Sequence, residues 1–204
     1  MHLVGVWEND RHNDIGLERL LRLFLISIQF FFPGIYIRHI FGHKGSTYKN
    51  LAIEFYILMK VISPILIFYF HLTCNPFFLF LSVYFLLETV LYIAALVFVS
   101  DMFSHIRSSN RSILLLLFNY IELSFNFAVV YSGFDMLTKN AVSGIDYLYY
   151  SFVTSASLGY GDIHPITNAG KLLVCAQSFI FLVFVVLFIN FFSGRKNRPE
   201  NPGK

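Results

Sequence analysis

The chain has 204 residues, of which 56% are hydrophobic and only 13% are charged. Soluble domains carry roughly 25% charged residues, so this composition excludes the soluble class and indicates a membrane protein. The formal net charge of +3 is too small to indicate a nucleic-acid partner. The opening residues, MHLVGVWENDRHND, have no cationic head followed by an apolar core, so we expect no removable signal peptide.

Apolar stretches that could cross a bilayer follow one another along the chain. Crossing takes about 20 residues as a helix. The first candidate, Leu20–Ile40, contains polar residues and either lies in the interface or spans with its polar stripe against protein. Four clearer spans follow, which predicts a multi-pass protein of the cell membrane: Leu51–Leu72, Pro76–Val99, Ile113–Ser132 and Ala169–Phe192.

Lysine and arginine indicate which loops face the cytoplasm. They concentrate in residues 42–50, in residues 101–112 and after the last span, whereas the turn at residues 71–76 has none. The positive-inside rule therefore places these three segments in the cytoplasm and residues 133–168 outside. No arginine repeats at every third position, so a voltage sensor is not expected.

The external segment contains a short helix followed by a glycine motif. Ser143 and Asp146 have the spacing of a capping box and predict the start of the helix. The helix should stop at LGYGD, where Gly159 and Gly161 permit backbone angles that other residues avoid. Non-helical backbone at membrane depth is tolerated only if it is buried in protein or lines a water-filled path.

The order of these elements resembles the potassium-channel pore domain, whose filter reads T-V-G-Y-G-D. That order is an apolar span, a short helix, a glycine-alternating segment and a second span. The resemblance covers roughly Ile113–Phe192 and includes Thr154, the S-L-G-Y-G segment, Asp162, Pro165 and the Gly170–Lys171 pair. It implies an all-α membrane protein with a re-entrant pore helix and a selectivity-filter loop. Four copies would close the pore, so a homotetramer is expected. K+ would be the permeant ion, membrane lipid is the other expected partner, and no cofactor is expected.

The resemblance also assigns roles to individual residues. The filter would comprise Ser157, Leu158, Gly159, Tyr160 and Gly161. Backbone carbonyls of the first four, with the Ser157 hydroxyl, would replace the water shell of the ion.

Around the filter, Thr154 of the pore helix would support the filter, and Tyr149 and Tyr150 would bond to Asp162 and Tyr160 respectively. The alternative is that these tyrosines are interfacial aromatics. At the outer mouth, four copies of His164 would bind a proton or a metal, or the histidine has no special role. The cavity and a dewetting gate would be lined by Ser178, Leu182, Val185 and Ile189, unless individual positions face lipid.

The filter departs from the family pattern at two positions. Ser157 keeps a hydroxyl and loses a methyl group, and Leu158 replaces a β-branched residue that would stiffen the segment. The sequence therefore predicts a potassium-preferring filter that is less rigid than usual. Only about a dozen residues follow the last span, so no ligand-binding cytoplasmic domain is expected, and the gating stimulus cannot be read.

Three ionisable residues fall near the centres of spans: Lys60, Glu88 and Glu122. Such groups are costly in a membrane and are usually paired. Lys60 and Glu88 each lie about 18 Å from the turn between their spans, so we expect them to pair. Glu122 shares a polar stripe with Asn119 and Asn126 and could join them. The group is either a buried structural tie or a protonation-sensitive element of the gate.

The predicted organisation has four parts. Residues 1–50 form a cytoplasmic or interfacial segment, 51–100 a transmembrane hairpin, 113–193 the pore domain and 194–204 a short tail. The leading functional prediction is a potassium-selective channel. The alternatives are a weakly selective cation channel and a non-conducting membrane subunit. An enzyme is the least favoured reading, because no H-E-x-x-H or G-x-S-x-G motif occurs.

Overall fold

The structure is a computed structural model, and it describes residues 17–28, 31–34, 36–37, 45–98, 109–138 and 141–196. Its longer elements are all helices, and β structure in these ranges is limited to one isolated bridge between Leu137 and Pro165. The helices, numbered here in chain order, are α1 (Leu17–Ile28), α2 (Ser46–Tyr69), α3 (Pro76–Phe98), α4 (Ser109–Gly133), α5 (Gly144–Ser155) and α6 (Asn168–Lys196).

Four of these helices, α2, α3, α4 and α6, are long and apolar enough to cross a membrane. Each coincides with one of the four clearer predicted spans to within a few residues at either end. The prediction of an all-α membrane protein is confirmed, and the described residues contain helices at the positions of the four clearer predicted spans. Helix α1 has 12 residues and a length of about 18 Å, which is too short to cross the hydrocarbon by itself. The rest of the predicted segment Leu20–Ile40 lies partly outside the described residues.

The chain divides into two compact units. The first comprises Met1–Leu58 and Leu87–His105, and the second comprises Met59–Leu86 and Ile106–Lys204. Within the first, the Tyr56 hydroxyl donates a hydrogen bond of 2.6 Å to Glu88 Oε2. The second contains all of α4, α5 and α6, together with the ends of α2 and α3 that adjoin the turn between them, and it carries the filter motif.

A proline is accommodated in the middle of α2. Pro64 has no N–H, so the carbonyl of Lys60, four residues earlier, loses its usual helical donor. The Ser63 hydroxyl donates to that carbonyl instead, at 3.1 Å. The local replacement lets an apolar span contain a proline without leaving this backbone oxygen unbonded in the membrane.

Two glycines bring the turn ends of α2 and α3 close to the helices that flank the filter motif. A Cβ on Gly133, the last residue of α4, would lie 2.5 Å from Leu79 Cδ1 and 3.0 Å from the Thr73 carbonyl oxygen. A Cβ on Gly144, the first residue of α5, would lie 2.7 Å from Phe68 Cδ1. Because only glycine fits at these approaches, the close contacts fix how these ends of α2 and α3 pack against α4 and α5.

The core of the second unit is formed where α5 packs against both α4 and α6, which also contact each other. Phe181 and Phe184 of α6 are buried, and both meet the Tyr120 ring of α4 edge-on, at centroid distances of 4.6 and 5.8 Å. Phe125 of α4 meets Phe152 of α5 in the same way at 5.5 Å. Such aromatic packing holds α5 in place and thereby positions the segment that follows it.

Candidate functional site

The start of α5 is fixed by the predicted capping box. The Ser143 hydroxyl accepts a hydrogen bond from the Asp146 N–H, and the Asp146 carboxylate accepts bonds from the backbone N–H groups of Ser143 and Val142 at 2.8 and 2.9 Å. These backbone bonds, led by that of Ser143, hold the pKa of Asp146 below its ordinary value. The carboxylate also sits at the partly positive end of the helix, which favours its charge.

The end of α5 leads directly into the filter segment through backbone hydrogen bonds. Ser157 N donates to the Thr154 carbonyl at 3.0 Å, and Leu158 N donates to the Val153 carbonyl at 2.9 Å. These bonds tie the first filter residues to the last turn of the helix. The position of α5 therefore determines where the filter begins.

The filter segment has a left-handed residue at every second position. Ser157, Gly159 and Gly161 have φ angles of 56°, 59° and 83°. Regular alternation of this kind allows successive carbonyl groups to face one side of the chain, which is the arrangement that coordinates a dehydrated cation. Glycine adopts these angles freely, whereas Ser157 does so at a cost of about 1–2 kcal/mol.

The outer end of the filter is held by Tyr149. The pKa of the Tyr149 hydroxyl is raised above its ordinary value, mainly by burial and to a smaller extent by a hydrogen bond to Asp162. The ring of Tyr149 is stacked parallel to that of Tyr160 with 6.4 Å between centroids. Tyr149 thus contacts both Tyr160 in the filter and Asp162 directly after it, within a single chain.

Tyr150 has different neighbours from those predicted. Its ring meets the buried Tyr131 ring edge-on at 5.2 Å, and its hydroxyl shares a hydrogen bond with Thr154. In the single chain Tyr160 stacks on Tyr149, so a bond between Tyr150 and Tyr160 stays a prediction.

The segment after the filter is anchored to the loop after α4. Thr138 N donates to the His164 carbonyl at 3.0 Å, and Ile166 N donates to the Met136 carbonyl at 2.9 Å. These two bonds form the bridge beside Pro165. His164 is exposed, and its role at the outer mouth stays a prediction. No group of three or more His, Cys, Asp or Glu side chains suited to a metal occurs in the part of the chain that the structure describes.

Comparison with known proteins identifies the same region. A family described as "Ion channel" matches residues 114–195. "Two pore potassium channel a" of Oryza sativa subsp. japonica is 35% identical over 91 residues, covering 44% of this chain and 26% of the relative. "Two-pore potassium channel 1" of Arabidopsis thaliana is 34% identical over 85 residues, covering 41% and 23%. Residues 114–195 are thus similar to an ion-channel family, and part of the chain is similar to plant potassium channels.

The chain spans about a quarter of the length of these curated relatives. No solved structure matches it. Since the family and the relatives are channels, the reading of the pore domain as non-enzymatic is confirmed on that ground.

The inner face of the pore domain is open in the single chain. Filter residues 157–161 are all exposed, and Leu158 and Tyr160 expose 58% and 68% of their surface. Beside them lies an open cleft of about 340 Å³. On α6 all four predicted cavity residues are exposed, while a different face of the helix packs on α4: Ser178, Leu182, Val185 and Ile189.

A buried ion pair joins the hairpin to the pore domain. Lys60 Nζ lies 3.6 Å from Glu122 Oε1, and the Phe85 ring lies below the ammonium group at 5.5 Å. The Asn126 amide donates to Glu122 Oε1 at 2.7 Å. The predicted pair of Lys60 with Glu88 would link the two units and stays a prediction. Glu88 accepts from Tyr56, a partner that the span-depth argument did not include.

One polar group in the pore domain was missed by the sequence reasoning. Gln177 of α6 is completely buried and bonds to Tyr131 of α4 and to Ser151 and Ser155 of α5. Its sequence signal was available, because a glutamine inside an apolar span must find partners. Its partners could not be identified without the packing of three helices.

Proposed function

We propose that this chain forms a potassium-selective channel of the cell membrane whose filter is the S-L-G-Y-G segment. The observation that carries the proposal is the left-handed backbone at Ser157, Gly159 and Gly161, directly after a short helix of a family pore domain. The printed names of the relatives describe potassium channels, which supports K+ as the ion.

Conduction follows from the electrostatics of α5 and its C-terminal residues. The carbonyl end of a helix carries a partial negative charge, so α5 favours a cation near its last turn. Filter carbonyls, with the Ser157 hydroxyl at the inner end, then replace water around the ion. Binding at several weak sites lets each ion leave as the next enters.

A closed ring of carbonyls requires four filter segments, and the sequence contains one GYGD motif. We propose that four copies of the chain surround the axis. The exposed filter and the adjacent cleft support this assembly, because both leave surface for neighbouring copies to cover. A native mass of four chains would support the tetramer, and a mass of one or two chains would contradict it.

The gate is proposed to lie along the exposed face of α6. Leu182, Val185 and Ile189 repeat at helical spacing and expose between 53% and 62% of their surface. Four copies of such a face would make an apolar constriction that closes by losing its water. Val185→Ser should keep water in the constriction and raise the open probability in single-channel records. An unchanged open probability would contradict this placement of the gate.

Potassium efflux from proteoliposomes tests conduction. Wild-type protein should release trapped K+, and Gly159→Ala should abolish release because it forces an L-residue to a φ of 59°. Gly45→Ala is the matched control, since Gly45 also has a positive φ and free space around its Cβ position but lies outside the pore domain. No efflux from correctly assembled wild-type protein under any applied voltage would instead favour a non-conducting subunit.

A weakly selective cation channel is the second candidate. The side chain at position 158 favours this candidate. Leu158 is not branched at Cβ, so it stiffens the backbone less than a β-branched residue would, and 58% of its surface is exposed. Efflux of Na+ at the same rate as K+ would support that alternative over a selective pore.

A further inference from the structure

Gln177 lies at the junction of the three pore-domain helices. Its side chain is completely buried on the α6 face that packs against α4 and α5. The amide Nε2 donates to the Ser151 carbonyl at 3.0 Å, to Ser151 Oγ at 3.0 Å and to Ser155 Oγ at 2.9 Å. The two amide hydrogens are thus shared among three acceptors, all on the last two turns of α5.

The other atoms of this cluster are also satisfied. The Tyr131 hydroxyl donates to Gln177 Oε1 at 2.7 Å. The Ser151 hydroxyl donates to the Ser124 carbonyl at 2.7 Å, and the Ser155 and Ser124 hydroxyls lie 3.2 Å apart. A fully satisfied buried polar network holds its members in one arrangement, since any displacement leaves a desolvated group without a partner.

The network is adjacent in sequence to the filter. Ser155 is the last residue of α5, two residues before Ser157. The N–H groups of Ser157 and Leu158 bond back to carbonyls within that same turn. Whatever fixes the last turn of α5 therefore fixes the inner end of the filter. The tyrosine contacts at Asp162 and Tyr160 act at the outer end, so the two ends have separate supports.

We propose that Gln177 is a positioning residue for the filter and that it couples movement of α6 to the filter's inner end. The inference rests on the proposed function, because it assigns a role to Gln177 in conduction. A shift of about 1 Å that carries Gln177 directly away from α5 would stretch bonds of 2.9–3.0 Å to about 4 Å, beyond hydrogen-bonding distance. Movement of α6, which lines the proposed gate, would then change the positions of the first filter carbonyls.

The test uses three variants of the full-length tetramer. Gln177→Leu removes all four bonds, and Tyr131→Phe removes only the bond to Gln177 Oε1. Gln177→Glu keeps the shape and replaces the donating amide by a carboxyl group that can donate only when protonated. Ser82→Ala is the control, because Ser82 Oγ is buried and has no hydrogen-bond partner among the described residues.

Two readouts separate this inference from the proposed function. Amide hydrogen exchange of residues 156–162 reports filter position without any ion flux. Single-channel recording reports open duration and selectivity. We expect Gln177→Leu to speed exchange in this segment about tenfold and to shorten openings, with a smaller effect of Tyr131→Phe. Gln177→Glu should resemble wild type at acidic pH and Gln177→Leu at alkaline pH, after correction for intrinsic exchange rates.

The outcomes are distinct. Unchanged exchange in residues 156–162 for every network variant would overturn the inference, whether or not the protein conducts. A pH-independent phenotype of Gln177→Glu would also overturn it, because a packing role alone is indifferent to the proton. If Gln177→Leu does not assemble, Tyr131→Phe and Gln177→Glu still decide. Altered exchange in a protein that passes no ions would support the positioning role while refuting the proposed function.

Discussion

At Leu158 the filter has an unusual side chain whose effect can be isolated. Valine is restricted at χ1 by its two branches, so Leu158→Val should stiffen the segment and lengthen openings about twofold, with higher preference for K+ over Na+. Single-channel records in mixed K+ and Na+ measure both quantities. Leu172→Val, on an exposed residue of α6, is the control for the loss of a methylene group. Unchanged open duration and selectivity would show that β-branching at this position is irrelevant.

At the residue scale, the sequence allowed some roles to be predicted and not others. Gly159 and Gly161 could be assigned a special backbone because glycine is the residue that adopts positive φ without cost. The left-handed φ angle of Ser157 could not be predicted, because the identity of an L-residue does not indicate such a conformation. Gln177 was missed because its partners lie 22 to 46 positions away along the chain.

The Lys60–Glu122 pair is the tie between the hairpin and the pore domain at the scale of helices. Removing one member of a buried ion pair costs about 3–5 kcal/mol, because the other keeps its desolvated charge. Lys60→Met should therefore lower the thermal stability of the tetramer, and adding Glu122→Gln should restore part of it. Gel filtration after heating measures the effect. Unchanged assembly with altered gating would instead assign the pair to the gate.

The capping box of α5 predicts a pH dependence with a defined sign. The pKa of Asp146 is lowered in the folded protein, so its contribution is present above the ordinary value of 3.8 and is lost as pH falls through the lower folded-state pKa. Unfolding midpoints measured from about pH 6 to about pH 3 should fall less steeply in Asp146→Asn than in wild type. Asp135→Asn, which leaves the capping box intact, should keep the wild-type slope; equal slopes for all three proteins would contradict the assignment.

Helix positions were largely predictable because length and apolarity determine spans. The bounds of α2, α3, α4 and α6 agree with the predicted spans, and Ser143 marks the start of α5. The partners of buried charges were harder to predict. Equal depth along two spans predicts a pair of Lys60 with Glu88, which stays a prediction, whereas depth alone did not identify Glu122, which lies 3.6 Å from Lys60.

At the scale of the whole molecule, a filter segment anchored at both ends lies beside an exposed face of α6. Backbone bonds and the Gln177 network hold the inner end, while Tyr149 and the bridge at Pro165 hold the outer end. The exposed faces of the filter segment and α6 are the surfaces that neighbouring copies would cover in the proposed tetramer. This division fits the proposal that each chain contributes one quarter of a selective pore.

The reversal potential of purified protein in a planar bilayer, with K+ on one side and Na+ on the other, tests the central claim most directly. We expect a reversal near the potassium limit that disappears with the current in Gly159→Ala and persists in Gly45→Ala. A robust current that reverses near zero would contradict potassium selectivity and establish a nonselective pore.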